Sequence, residues 1–115
     1  MLIRIERSGR LVARFCVSVA SDEDELREGL RGIVIGPHEG LLMVFPDAQK
    51  MSFTMAGVPQ DLTIALFDVS GRLTRSFDAE AHRAVAYPSV VPVAYALEVL
   101  PCSTLRRGDQ LVLLS

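Results

Sequence analysis

The sequence has no tryptophan, two cysteines, two histidines and a single lysine, Lys50. Aromatic residues make up 6% of the chain, too few for a platform on which bases could stack. Basic charge is not gathered either. The closest cluster is Arg106-Arg107, and 12 basic residues stand against 14 acidic ones, for a net charge of −2. Without a basic stripe to track phosphates, nucleic acid is not an expected partner. No uncharged apolar run approaches the roughly 18 residues that span a bilayer, so no membrane partner is expected. The opening MLIRIERSGR alternates charge with aliphatic residues and lacks the apolar core of a signal peptide, which points to an intracellular protein. Cys16 and Cys102 lie 86 positions apart. Cys16 falls in a strand pattern, so a buried and inert thiol is expected there rather than a disulfide.

What the chain does have is hydrophobic residues, half of the total. Its 115 residues form a single domain, 1–115, able to remove roughly two-thirds of the unfolded surface from water without metal or disulfide staples. An apolar content this high also favours docking on a partner protein or self-association.

The apolar residues recur mostly at period two. Leu2 to Glu6 reads as a strand, Ser8-Gly9 as a turn, and Leu11 to Ala20 as a second strand with Leu11, Phe15, Val17 and Val19 on one face. Ser21 followed three positions later by Asp24 has the layout of a capping box, and Leu26 and Leu30 share a helical face. One helix is therefore predicted over 22–31, with Gly32 as its stop. Leu41 to Phe45 is a continuous apolar run suited to a strand buried on both faces. Met51, Phe53 and Met55 alternate as a returning strand. Leu62 to Val69 and Arg72 to Phe77 flank a Ser70-Gly71 turn, with Leu73, Arg75 and Phe77 on one face. Pro88 and Pro92 bracket an edge segment, and Val93 to Leu100 and Gln110 to Leu114 close the chain. The sum predicts a mainly β fold: a small curled antiparallel sheet or partly closed barrel of about eight short strands, with the early helix covering one end.

Several ordered segments carry a resemblance. Val17-Ser18-Val19-Ala20, Glu28-Gly29-Leu30, Gly40-Leu41-Leu42-Met43-Val44-Phe45 and Phe53-Thr54-Met55 are followed by Leu66-Phe67-Asp68-Val69-Ser70-Gly71. Pro88-Ser89, Tyr95-Ala96-Leu97-Glu98-Val99 and Gly108-Asp109 complete the series. In this order and spacing, from about Phe15 to Leu114, the chain resembles the small prokaryotic proteins grouped as domain of unknown function 192. The resemblance implies the fold and brings no chemistry with it. The family's Lys-Asn-Thr is replaced by Ala56-Gly57-Val58 and its Pro-Leu-Asp by Asp61-Leu62-Thr63, while Ala84-Val85-Ala86 stands where the family has a Cys-Pro-rich loop. Carried across the resemblance, Thr63, Pro88, Ser89 and Glu98 are the candidate binding residues at a barrel mouth.

Other constellations have simpler explanations. Asp78, Glu80 and His82 alternate and could approach a divalent ion together with His38, but a solvated acidic connection accounts for them. Ser89 lacks the elbow motif that exposes a nucleophile, and Cys102 has no adjacent base. Glu98 reads most simply as an outward strand residue opposite an arginine, an inward carboxyl being the alternative. Arg107-Gly108-Asp109 spells an adhesion tripeptide, yet turn geometry explains it. No catalytic residue, metal or cofactor is expected. The leading expectation is a non-enzymatic module that docks on a protein or on itself, cytoplasmic or, if viral, a virion accessory such as a shell-decorating protein. The alternative is a small-ligand-binding protein or enzyme with a pocket at the barrel mouth.

Overall fold

Hairpin chemistry opens the chain. Ser8 and Gly9 both take positive φ, 52° and 76°, the backbone that a two-residue type I′ turn requires. This sets β1 (Leu2–Arg7) antiparallel to β2 (Arg10–Ala20). The computed structural model describes residues 1–114. After β2 come α1 (Glu23–Glu28), β3 (Glu39–Gln49), β4 (Ser52–Phe53), β5 (Leu62–Phe67) and β6 (Leu73–Ala79). β7 (Tyr87–Pro88), β8 (Val93–Val99) and β9 (Gln110–Leu113) follow. The fold is mainly β with one short helix, as the periodicity predicts.

Seven strands form one curled sheet in the order β6-β5-β8-β3-β2-β1-β9, and β4 and β7 make a separate two-stranded ladder. The curl brings the two edge strands together. Leu73 N–H donates to Asp109 O at 2.7 Å, Gly108 N–H to Leu73 O at 2.8 Å, and Leu111 N–H to Gly71 O at 2.8 Å. The sheet is thus a partly closed barrel, seamed at one end of β6 and β9.

It is not wholly antiparallel, which corrects one expectation. β2 and β3 run parallel, Val17 opposite Gly40 and Ala20 opposite Met43. A parallel pair needs a long crossover, and residues 21–38, with α1 among them, supply it. The helix is also shorter than its apolar spacing implies. Asp22, one position later than expected, is the cap: its Oδ1 accepts from Glu25 N–H at 2.8 Å, and Glu25 Oε1 accepts from Asp22 N–H at 3.2 Å. Gly29 at φ 53° then ends the helix three residues before Gly32.

Two apolar layers lie on either side of the sheet. Ile3, Ile5, Phe15, Leu42, Phe67 and Leu97 fill the concave side. Leu41, Met43, Phe53, Met55, Ile64 and Leu66 form a convex layer under α1 and the segment after β3. Strands β3, β5 and β8 are therefore covered on both faces, as the continuous run Leu41 to Phe45 predicts.

Bulges account for two face assignments that period two alone misses. A register shift at Ile5/Glu6 separates exposed Leu11 from Phe15 and Val17, and Val19 lies exposed near the strand end. A second shift at Leu66/Phe67 sends Leu73 to the concave layer and Phe77 to the convex one. Met51 to Met55 does not return along β3. Only Ser52–Phe53 is strand, and its partner is β7. Cys16, expected buried, is exposed; both cysteines are free.

A candidate ligand cleft floored by Glu98

Register decides where Glu98 points. On β8 it lies opposite Leu41 of β3 and Ile64 of β5, both members of the convex layer. Its side chain therefore enters that layer and is 4% exposed, which overturns the outward, arginine-paired reading. Among the described residues no hydrogen bond or ion pair reaches its carboxyl group. Burial away from water pushes that carboxyl up to about 7, because the charged form loses its hydration.

The carboxyl forms part of the wall of a cleft of about 640 Å³ between α1 and the segment from Phe45 to Val58. Met43, Phe45, Met51, Phe53 and Leu26 supply apolar walls. Gly29 allows the chain to pass closely over the floor. A Cβ at that position would lie 3.3 Å from Met43 Cε and 3.6 Å from Glu98 Oε1. Apart from Glu98, the ionisable side chains at the lining are Glu23, Arg27, Glu28 and Arg31. Arg27 is already engaged, 3.2 Å from Glu23 and 3.4 Å from Asp24, and the Arg31 stem packs over Gly57.

The four residues expected to share a pocket are not gathered in one. Thr63 lies opposite Val99, on the concave side of the sheet, and is buried. Its hydroxyl donates to Asp78 Oδ1 at 2.8 Å and accepts from Cys102 N–H at 2.9 Å. Pro88 sits in the β4–β7 ladder, its carbonyl accepting from Arg75 Nη1 at 3.0 Å. Ser89 is fully buried and clasps Met51: Ser89 N–H donates to Met51 O at 2.8 Å, and Met51 N–H donates to Ser89 Oγ at 2.9 Å. Only Glu98 borders the cleft, which lies outside the curl rather than at its mouth.

The remaining constellations resolve locally. Asp78 is turned to Thr63, and Glu80 approaches Arg83 at 3.9 Å. No group of three His, Cys, Asp or Glu side chains suited to a metal occurs among the described residues. Asp109 is 1% exposed and held by Arg7, so the Arg-Gly-Asp tripeptide cannot present its carboxylate.

The profile of domain of unknown function 192 (DUF192), described as an uncharacterized ACR, matches residues 3–110. The chain belongs to the DUF192 family. No curated protein matches it. Two solved structures resemble this DUF192 chain in fold. One is a Sinorhizobium meliloti protein named as a candidate transcription regulator, 24% identical, covering 96% of this chain and 91% of that one, with a TM-score of 0.88. The other is a protein of unknown function from Novosphingobium aromaticivorans, 17% identical, covering 97% and 84%, with a TM-score of 0.89. At these identities the likeness concerns the fold.

The cleft walls of this DUF192 protein were not legible as a site. Met51 and Phe53 read as one face of a strand, and Met43 and Phe45 as core. The available signal was a lone carboxylate in the otherwise apolar strand Val93–Val99.

Proposed function

We propose that this DUF192 protein binds a small, largely apolar molecule in the cleft beneath α1, with Glu98 as its polar anchor. One observation carries the reading: the carboxyl of Glu98, a residue 4% exposed, has no hydrogen-bond partner among the described residues and opens onto a space a small molecule could fill. Desolvating such a group costs free energy unless something bonds to it, and a ligand would supply that bond. A volume of about 640 Å³ lies within the usual range for small-molecule sites. The two methionines in the walls give them adaptable shape.

The chain's own methionines provide the test. Of the four, Met43 and Met51 line the cleft, whereas Met1 and Met55 do not. Addition of a panel of small alcohols, amines and arenes to protein labelled at the methionine methyls should shift the Met43 and Met51 signals and leave Met1 in place. A bound ligand at a hundred times its dissociation constant should also stabilise the fold by about 2.7 kcal/mol. A panel that moves neither methyl signal overturns the reading.

A second surface favours the docking reading. Val69, Val90 and Val91 are exposed, the first two by 72% and 61%, and with Pro92 they border one depression. Val90 has φ 71°, a conformation that a β-branched side chain adopts only under strain. Such strain at an exposed apolar position suits a contact surface for a protein partner or a second copy. Light scattering of wild type and Val90→Gly distinguishes the outcomes. Self-association that weakens in the variant supports the reading, and a wild type that stays monomeric at millimolar concentration removes the self-association arm. At the cleft, the six-residue α1 with its acidic first turn does not favour nucleic acid. No helix among the described residues is long and apolar enough to cross a membrane.

A further inference from the structure

We infer that the cleft's ligand is an organic ammonium compound, its charged nitrogen set against the Glu98 carboxylate and its hydrocarbon part along Met43, Phe45 and Phe53. This rests on the ligand-binding reading above and narrows it to one chemical class. The argument begins with what the protein withholds from Glu98. Among the described residues no arginine, lysine or histidine bonds to it, and burial is the sole cause of its displaced titration. A buried carboxylate is ordinarily accompanied by a cation. Here the space where that cation would stand is open cleft.

The surroundings discriminate among ligand charges. From α1 the cleft receives Glu23, Arg27 and Glu28, and from the turn after it Arg31. The β3 end, β4 and the chain to Val58 contribute no ionisable side chain, and the strand neighbours of Glu98 are Leu41 and Ile64. Three carboxyl groups thus border the space against two guanidinium groups, one of them already paired with Glu23 and Asp24. An anionic ligand would meet Glu98 with like charge. A neutral alcohol could bond to it but would leave a carboxylate uncompensated. An ammonium group satisfies it in charge and in hydrogen bonding, with charge-assisted bonds stronger than neutral ones.

Binding would then be coupled to a proton. Below neutrality the Glu98 carboxyl carries its hydrogen; on arrival of an ammonium ion the O–H bond breaks, the proton passes to buffer and the carboxylate pairs with nitrogen. The ammonium keeps all its own protons. Amine affinity should therefore rise with pH and level off once Glu98 is ionised without ligand. With a carboxyl titrating at about 7, the ionised share grows about tenfold between pH 6 and pH 8.5.

The experiment is calorimetric titration of the full chain with three size-matched probes, n-hexylamine, 1-hexanol and hexanoate, at pH 6 and pH 8.5. At pH 6 two buffers of different ionisation heat are used, and the methionine methyl signals are followed in parallel. Expected are hexylamine binding about tenfold tighter than hexanol at pH 8.5, about tenfold weaker binding of the amine at pH 6, and release there of nearly one proton per amine bound. Glu98→Gln should remove hexylamine's advantage over hexanol and abolish both the proton release and the pH dependence of amine binding. The wild-type comparison of probes and pH stands without the variant, should the variant not fold. Equal binding of amine and alcohol, a preference for hexanoate, or amine affinity independent of pH overturns the ammonium assignment and leaves the cleft as a ligand site. Failure of all three probes to bind or to move Met43 and Met51 overturns both.

Discussion

The Arg7 guanidinium grips the Asp109 carboxylate through two bonds, Nε to Oδ1 at 2.8 Å and Nη2 to Oδ2 at 2.9 Å. Arg7 ends β1 and Asp109 immediately precedes β9, so this fork fixes the last strand at the barrel seam. Arg106 N–H adds a third bond to Oδ2 at 2.8 Å, closing the turn between Arg106 and Asp109. Asp109 accordingly explains its own turn motif: the carboxylate is an internal fastener.

Asp109→Asn should weaken the fold while leaving its size unchanged. Desolvation pushes the Asp109 carboxyl up, but the Arg7 hydrogen bond, the Arg106 N–H and the two positive charges outweigh it, and the carboxyl stays below its ordinary value. Since the Arg7 side chain is 37% exposed, solvent screens part of the pair, and a loss of about 1–2 kcal/mol is expected at pH 7. A carboxyl lowered on folding stabilises above its unfolded value of about 3.8 and loses that contribution as pH falls through the lower folded value. Urea midpoints of wild type and variant should therefore differ at pH 7 and converge in acid. A gap that persists undiminished at pH 2 contradicts the assignment.

Glu98 has the opposite sign. Its folded carboxyl, near 7, holds a proton more tightly than the unfolded one at 4.5. Between these values rising pH ionises the unfolded chain first, so stability falls with pH across that window and is level above it. The full displacement corresponds to about 3 kcal/mol. Glu98→Gln, which cannot ionise, should match wild type near pH 4 and exceed it by about that amount at pH 8 in denaturant unfolding. Parallel stability curves for the two proteins would show that the carboxyl is not desolvated in the free protein.

Ser89→Ala should act as a structural lesion that reaches the cleft indirectly. The hydroxyl accepts from Met51 N–H and donates to Val91 O at 2.7 Å, and the residue is fully buried. Alanine leaves both backbone groups without that partner, at a cost of about 1–3 kcal/mol. Because Met51 lines the cleft, its methyl signal should broaden or move in the variant while Met1 stays put. Unchanged stability with an unchanged Met51 signal would mean that water replaces the hydroxyl without penalty.

Particular elements show how far the residues alone led. The Ser8-Gly9 hairpin, the doubly covered run Leu41 to Phe45 and the apolar closing strands were legible because turn backbone and side-chain alternation are local properties. Leu11, Leu73 and Phe77 were misassigned because one bulge residue shifts the face of everything beyond it. Glu98 was misjudged for a related cause. Alternation says that it shares a face with Ala96, but not whether a helix and a loop will later cover that face.

Local chemistry in the sequence determined that this chain folds as short strands with one capped helix, since hydrogen-bonding turns and period-two apolar positions act over a few residues. The parallel placement of β2 beside β3, the seam between β6 and β9, and the burial of Glu98 under α1 depended on contacts between segments dozens of residues apart. Such contacts are set by how whole faces pack against one another. A carboxylate in an apolar strand becomes a buried, cation-seeking group only when distant parts of the chain shut water away from it.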